Sequence, residues 1–118
     1  MNDAPYAFTG LDRLFHERGR LAVCACLIAN PDGMRFTELQ DACSLTDGNL
    51  NRHLHALAEV DVIASRRVRG AGRPTTIVRI TPSGRARFLA YVDALEAIVR
   101  GVQREADARS ASRLATQS

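Results

Sequence analysis

Hydrophobic residues recur at helical spacing along much of the chain. The first long run, Arg18 to Ala29, places apolar residues on one side of a helix, and the turn residues Asn-Pro-Asp-Gly follow it. A shorter helix is expected before it, at residues 11–17, and one short strand after it, at residues 34–36. This pattern predicts a central core helix in a single small domain.

The next two predicted helices are close together and individually capped. Thr37 is followed three residues later by Gln40, the spacing of a capping box, which predicts a helix over residues 37–43. Thr46 is expected to cap a second helix, along which an apolar stripe is formed by Leu50, Leu54, Leu57 and, at its end, Val60. A short helix, a turn and a longer helix predict a helix-turn-helix.

The pattern then changes to two β-branched runs, residues 62–67 and 75–80, joined by the glycine-rich stretch 68–74. They predict a hairpin whose tip, residues 66–74, we call the wing. Thr81 and Pro82 suit the cap and first position of a last helix that reaches about residue 107. The predicted fold class is mainly α with a small β-hairpin (α+β): a winged helix-turn-helix with a long C-terminal helix.

The last helix carries apolar residues at alternating spacings of four and three, the repeat of a two-helix interface. These residues are Phe88, Val92, Leu95, Val99 and Val102. Because so small a domain cannot bury all of this surface, we predict a homodimer; the alternative is that the helix folds back onto its own chain. The expected organisation is a flexible N-terminal arm at 1–10, a winged helix-turn-helix domain at 11–81, a dimerisation helix at 82–108 and a frayed tail at 109–118.

The helix over residues 46–60 carries hydrogen-bonding side chains opposite its leucines. Asparagine can pair with adenine and arginine with guanine, whereas a carboxylate can accept from the amino group of cytosine. We therefore predict that this helix reads the major groove of double-stranded DNA through Thr46, Asp47, Gly48, Asn49, Asn51, Arg52 and His55. The alternative is a helix face that is merely solvated.

Positive charge is concentrated in the same part of the chain. All 16 basic residues are arginine and the net charge is only +3, yet residues 47–87 alone carry +5. The wing contains Arg66, Arg67, Arg69 and Arg73, whose guanidinium groups can contact phosphates or a narrow minor groove. A nucleotide-binding glycine loop fits less well, because such loops join a strand to a helix and this one joins two strands.

Four stretches together resemble the small winged-helix regulators related to the MarR and ArsR families, over roughly residues 11–100. They are Phe36-Thr37-Glu38-Leu39-Gln40, the run from Leu45 to Leu54, Gly72-Arg73-Pro74, and Ile80-Thr81-Pro82-Ser83-Gly84-Arg85. The resemblance implies a dimeric repressor or activator whose third main helix reads the major groove. Two such helices would meet the half-sites of a pseudo-palindromic operator. No small-molecule effector is identified by it.

The pair Cys24 and Cys26 is similar to the CxC of metal-sensing ArsR-type repressors but lies in an early core helix. Residues two apart on a helix diverge by about 200°, so two such thiolates would not share a metal. We expect Cys24, Cys26 and Cys43 to be small buried hydrophobes; a thiol- or metal-responsive sensor is an alternative. The histidines are expected at the core edge (His53), facing DNA (His55) and between the first and last helices (His16).

Nothing in the chain suggests catalysis, a cofactor or a metal site: no nucleophile lies in a recognisable motif and no carboxylate pair is placed by one. No apolar run approaches the roughly eighteen residues of a membrane span, and no secretory signal is recognised, so a cytoplasmic location is expected. The sequence favours a homodimeric, sequence-specific DNA-binding repressor. The alternative is a winged-helix module that binds another protein.

Overall fold

The computed structural model describes residues 6–70 and 72–117; residues 1–5 of the predicted arm, residue 71 of the wing and residue 118 of the tail lie outside them. The described chain forms helices α1 (Arg18–Ala29), α2 (Phe36–Cys43), α3 (Asp47–Glu59) and α4 (Pro82–Gln117), and strands β1 (Met34–Arg35), β2 (Ile63–Val68) and β3 (Thr75–Ile80). The strands pair antiparallel in the order β1-β3-β2. The predicted fold class is confirmed.

The segment before α1 forms turns rather than the predicted helix over residues 11–17. The Asp12 carboxylate accepts a hydrogen bond from the Leu14 backbone at 3.1 Å, and the Phe15 N–H donates to the Asp12 carbonyl at 3.2 Å. Such local side-chain bonds compete with helical ones. The Arg87 guanidinium holds the same carboxylate through two bonds of 2.6 and 3.2 Å, so the segment is anchored to α4.

Helix α2 begins one residue earlier than predicted, and its cap differs. The Arg35 backbone N–H donates to the Glu38 carboxylate at 3.0 Å, so Glu38 plays the reciprocal part that was predicted for Gln40. The predicted cap, Thr37, lies within the helix. Arg35 is the N-cap instead of Thr37, because it ends strand β1 in an extended conformation and the first helical residue follows it directly.

The turn between α2 and α3 is built on a left-handed residue. Ser44 has φ +54° and ψ +49°, and the Leu45 N–H donates to the Gln40 carbonyl at 3.2 Å. Helix α3 then begins as predicted, because the Thr46 hydroxyl accepts from the Asn49 backbone N–H at 3.2 Å. These contacts fix where the first turn of α3 starts.

The core lies between the helices and the sheet. Its larger fully buried side chains are Phe15, Val23, Leu27, Leu39, Leu50, Leu57, Val62 and Val78. The predicted stripe of α3 is buried at its three leucines but not at Val60, which is 47% exposed. Since α3 ends there and Asp61 turns the chain with φ +59°, Val62 enters the core instead.

The junction from the hairpin into α4 explains the Thr-Pro-Ser-Gly run. Thr81 caps α4 by accepting from the Gly84 N–H at 2.9 Å, and its own N–H donates to the Val62 carbonyl at 2.9 Å. A Cβ atom at Gly84 would lie 2.1 Å from that same carbonyl oxygen. Only glycine fits there. Helix α4 begins at Pro82, as predicted.

Helix α4 is longer than predicted. It continues to Gln117, so the predicted end near residue 107 and the predicted frayed tail are both wrong over the described residues. After Gly101 the segment contains no glycine or proline, and it is rich in alanine and arginine, which are strong helix formers. Residues 102–116 are all exposed. None of the helices in the described ranges has the length and apolar character needed to cross a membrane.

Candidate nucleic-acid interface

Helix α3 presents the predicted reading surface to solvent. All seven predicted residues are exposed: Thr46, Asp47, Gly48, Asn49, Asn51, Arg52 and His55. Residues four and three positions apart on a helix lie on one face, so Gly48, Arg52 and His55 form its centre. A Cβ atom at Gly48 would have open space within 4 Å around it, so this glycine leaves a flat, open approach to the helix backbone.

Several of these polar side chains are held by neighbours. The Gln40 amide of α2 donates to one oxygen of Asp47. The Arg52 guanidinium contacts the Asn49 amide oxygen at 3.5 Å, and His55 Nε2 lies 3.1 Å from the Glu59 carboxylate. These contacts favour particular orientations of the side chains before any partner binds.

The opposite side of α3 is anchored by His53, which is 3% exposed. A Cβ at Gly19 would lie 2.4 Å from its Nε2, so glycine in α1 makes room for the ring. His53 Nδ1 has no hydrogen-bond partner among the described residues, and it faces the Glu17 carboxylate at 3.5 Å. Burial lowers the pKa of His53, and the nearby Glu17 charge partly opposes this.

Glu17 and Gly19 were not singled out from the sequence. The Glu17 carboxylate also accepts from the Arg20 backbone N–H at 2.8 Å and caps α1. A glutamate immediately before the first helical residue was the available signal for the cap. Nothing in the sequence pairs it with a histidine 36 positions later.

The wing arginines surround a hairpin in which Val68 pairs with Thr75 at the last registered position. Arg66 and Arg67 are neighbours on β2 and therefore point to opposite faces. All four predicted wing residues, Arg66, Arg67, Arg69 and Arg73, are exposed. Within residues 6–70 and 72–117, no acidic side chain forms an ion pair with them.

The predicted interface stripe of α4 divides into a buried and an exposed part. Phe88 is 4% exposed and packs edge-on against Phe15 of its own chain, with ring centroids 5.1 Å apart. The prediction that Phe88 lies at a dimer interface is therefore wrong, because Phe88 belongs to the core of its own chain. A heptad spacing alone does not show whether an apolar residue faces its own core or a partner chain. Val92 and Leu95 are half-buried, whereas the next two members of the stripe are exposed: Val99 at 47% and Val102 at 60%.

Beside the exposed stripe, Tyr6 and Phe8 approach α4 and border a hollow of about 420 Å³. Closer to the core, His16 Nδ1 lies 3.1 Å from the Tyr91 hydroxyl, which agrees with the predicted location of His16 against the last helix. The N-terminal segment therefore lies along α4. Val102 borders the same hollow and is still 60% exposed, and Val99 is 47% exposed.

The three cysteines are free, with Cys24 buried and the other two half-buried. Burial raises the pKa of Cys24 to about 12, and burial together with the adjacent Cys26 thiol raises the pKa of Cys43 to about 11. Cys26 therefore neighbours Cys43 of α2 rather than pairing along its own helix. Because thiolates are the reactive and metal-binding form, these shifts disfavour a sensor role for Cys24 and Cys43. The described residues contain no cluster of three or more His, Cys, Asp or Glu side chains suited to a metal ion.

Comparison with known proteins identifies relatives of this arrangement. The sequence profile of a family described as a winged helix DNA-binding domain matches residues 20–99. An uncharacterized protein of Methanocaldococcus jannaschii is 32% identical over 80 residues, which cover 68% of this chain and 86% of that protein.

Two solved structures extend the likeness to the fold. A transcriptional regulator homologue from Pyrococcus horikoshii OT3 superposes with a TM-score of 0.72 at 26% identity, over 77% of this chain and 89% of that one. A mutant of MepR from S. aureus, bound to an oligodeoxyribonucleotide, superposes with a TM-score of 0.64 at 14% identity, over 91% of this chain and 86% of that one.

Proposed function

The chain belongs to the winged helix DNA-binding domain family, and from this premise we propose that it is a homodimeric, sequence-specific transcription regulator that acts as a repressor. The resemblance to small winged-helix regulators is confirmed. This fold and family are those of transcription regulators rather than enzymes. The observation that carries the proposal is the exposed polar face of α3 beside a wing whose arginines have no acidic partner in the described chain.

We assign different tasks to these two surfaces. The α3 side chains Asp47, Asn49, Asn51 and Arg52 offer the donors and acceptors that distinguish base edges in the major groove. The wing arginines offer charge to phosphates or to the minor groove beside it. Thr46, Gly48 and His55 complete the α3 surface by capping the helix, allowing close approach and adding a ring donor.

A second copy of the chain is the proposed partner of α4. One apolar stripe continues along α4 through Val92, Leu95, Val99 and Val102, and its outer half, Val99 and Val102, is exposed in the single chain. Pairing of two such stripes would present two α3 helices to half-sites about one turn of DNA apart. The operator is therefore expected to be a pseudo-palindrome, and occupancy of it would exclude the transcription machinery. The MepR structure, bound to an oligodeoxyribonucleotide, supports DNA as the ligand of this fold.

The test begins with selection of duplexes from a random library by the full-length chain. Fluorescence anisotropy then compares the selected duplex with a scrambled duplex across a salt series, and sedimentation gives the number of chains per duplex. We expect a symmetric selected sequence, two chains per duplex, and a dissociation constant about a thousandfold or more below that for the scrambled duplex.

Val102→Glu is the matched control, because it places a charge on the exposed stripe and leaves α3 and the wing intact. It is expected to bind as a monomer, with a large loss of affinity for the symmetric sequence. Equal, weak binding of the parent to both duplexes would contradict the proposal and favour a module that binds protein. No effector or cofactor is proposed.

A further inference from the structure

The reading surface of α3 has one neighbour that comes from a different helix. Gln40 lies near the end of α2, and its side-chain amide donates to one carboxylate oxygen of Asp47, in the first turn of α3. Its backbone carbonyl accepts from the Leu45 N–H and so belongs to the turn that fixes the start of α3. The amide and the carboxylate therefore have a defined relative position.

The Gln40 amide is neutral, so its bond to Asp47 orients the carboxylate without removing its charge. Asp47 is exposed, and its negative charge is unfavourable near the phosphates of DNA docked on α3 unless the carboxylate meets a donor on a base. A carboxylate offers two acceptor oxygens, so a bond from Gln40 to one of them leaves the other free to accept from a base. The same bond stops the carboxylate from turning freely between productive and unproductive orientations.

We propose that Gln40 is a specificity-determining residue of the DNA-reading surface, which acts by positioning the Asp47 carboxylate toward an amino donor in the major groove. This inference rests on the proposed function. The donor that fits best is the N4 amino group of cytosine, because the free carboxylate oxygen can only accept, and the amino group of adenine lies beside N7, an acceptor that repels a carboxylate. Gln40 is a positioning residue, since its amide acts through Asp47.

Two other roles for Gln40 make different predictions. If its amide contacted a phosphate directly, removal would weaken binding to every duplex by the same factor. If it only stabilised the turn between α2 and α3, removal would lower the melting temperature and leave base preference unchanged. Positioning of Asp47 predicts a change at one base pair of each half-site.

The experiment measures the binding of the full-length chain to the selected duplex and to a panel with every single base-pair substitution in the half-site. The variants are Gln40→Ala, Asp47→Ala and the double variant, with Thr37→Ala as a control. Thr37 is an exposed, uncharged residue of α2 with no side-chain hydrogen bond to α3 in the described chain. Thermal melting of each variant separates folding from recognition.

We expect Gln40→Ala and Asp47→Ala to relax preference at the same base pair, Gln40→Ala by about three- to tenfold, with unchanged preference elsewhere. Adding Gln40→Ala to Asp47→Ala should have no further effect on preference. Gln40→Glu, which opposes two carboxylates, should relax the same position and weaken all binding. Thr37→Ala should match the parent.

A Gln40→Ala variant that keeps the parent's preference, or that weakens all duplexes equally, would overturn the positioning role alone. A parent that shows no preference within the panel would overturn the proposed function and this inference with it. Additive effects of Gln40→Ala and Asp47→Ala at different base pairs would show that the two residues act independently, which also contradicts the proposal.

Discussion

The α3 face and the wing are both polar and exposed, but their side chains differ in whether neighbouring residues hold them. On α3, Asp47 is held by Gln40 and Arg52 contacts Asn49, whereas the wing arginines have no ion-pair partner within the described ranges. A restrained side chain loses less conformational freedom when it binds, and it keeps one geometry. An unrestrained guanidinium can follow a phosphate backbone of any sequence.

This difference indicates that one small domain can place phosphate attraction and base recognition on two different surfaces. Base discrimination depends on where each donor and acceptor points, and α3 supplies that through neighbours and a buried anchor at His53. Phosphate attraction depends mainly on the number of charges, and the wing supplies it without fixed contacts. Single substitutions in the two regions should therefore have different signatures.

The largest effect is expected from Arg52→Ala. Loss of a two-pronged contact to a base costs about 1–3 kcal/mol, which is about five- to 150-fold in affinity for the selected duplex. Anisotropy titration measures it, and Arg113→Ala, which removes the same charge from the exposed end of α4, is the control. Equal losses in the two variants would mean that Arg52 contributes charge alone.

A smaller, uniform effect is expected when Arg66 and Arg69 are both changed to alanine. The slope of log affinity against log salt is negative, and each lost phosphate contact makes it less steep by about 0.9, so losing two should make it less steep by about 1.8 per bound chain. The loss should be the same for selected and scrambled duplexes. An unchanged slope would show that the wing does not touch the backbone.

The anchor beneath α3 predicts a dependence of stability on pH. Burial lowers the pKa of His53 below its usual 6.5, so the unfolded state binds the proton more readily. The stabilisation from neutral His53 is complete above about pH 6.5 and is lost as the pH falls through the lower, folded-state value. Urea unfolding at about pH 7.5 and 5.5 should show a larger drop for the parent than for His53→Gln. Parallel drops would contradict this account of the anchor.

The smallest effect is expected at the turn that starts α3. Ser44 has φ +54°, where glycine has no steric cost, so Ser44→Gly should raise the free energy of unfolding by up to about 1 kcal/mol. Base preference should not change, because no reading side chain is altered. Ser65→Gly in strand β2 serves as the control and should destabilise. A relaxed preference in Ser44→Gly would indicate that this turn also controls the orientation of α3.

Features determined by neighbouring residues could be predicted from the sequence. The Thr46 cap, the hairpin and the start of α4 at Pro82 each depend on side chains within a few positions, and each is present in the structure. The seven α3 residues were also found correctly as an exposed set, because helical periodicity determines which side faces the core. Their roles at DNA remain predictions.

Features that depend on distant residues could not be predicted. The contact between Asp12 and Arg87 joins positions 75 apart, and the packing of His53 over Gly19 joins two different helices. The same limit explains the error at Phe88, whose spacing along α4 gave no sign of Phe15 on the other side. Such pairs depend on how elements pack, and a single pattern along the chain does not specify it.

The ratio of dissociation constants for scrambled and selected duplexes tests the division between α3 and the wing most directly. It should be measured at one salt concentration for the parent, Arg52→Ala and the Arg66/Arg69 double alanine variant. The account predicts that the ratio falls by about five- to 150-fold in Arg52→Ala and stays within about twofold of the parent in the wing variant. The account would be contradicted if this ratio fell strongly in the wing variant and stayed at the parent's value in Arg52→Ala.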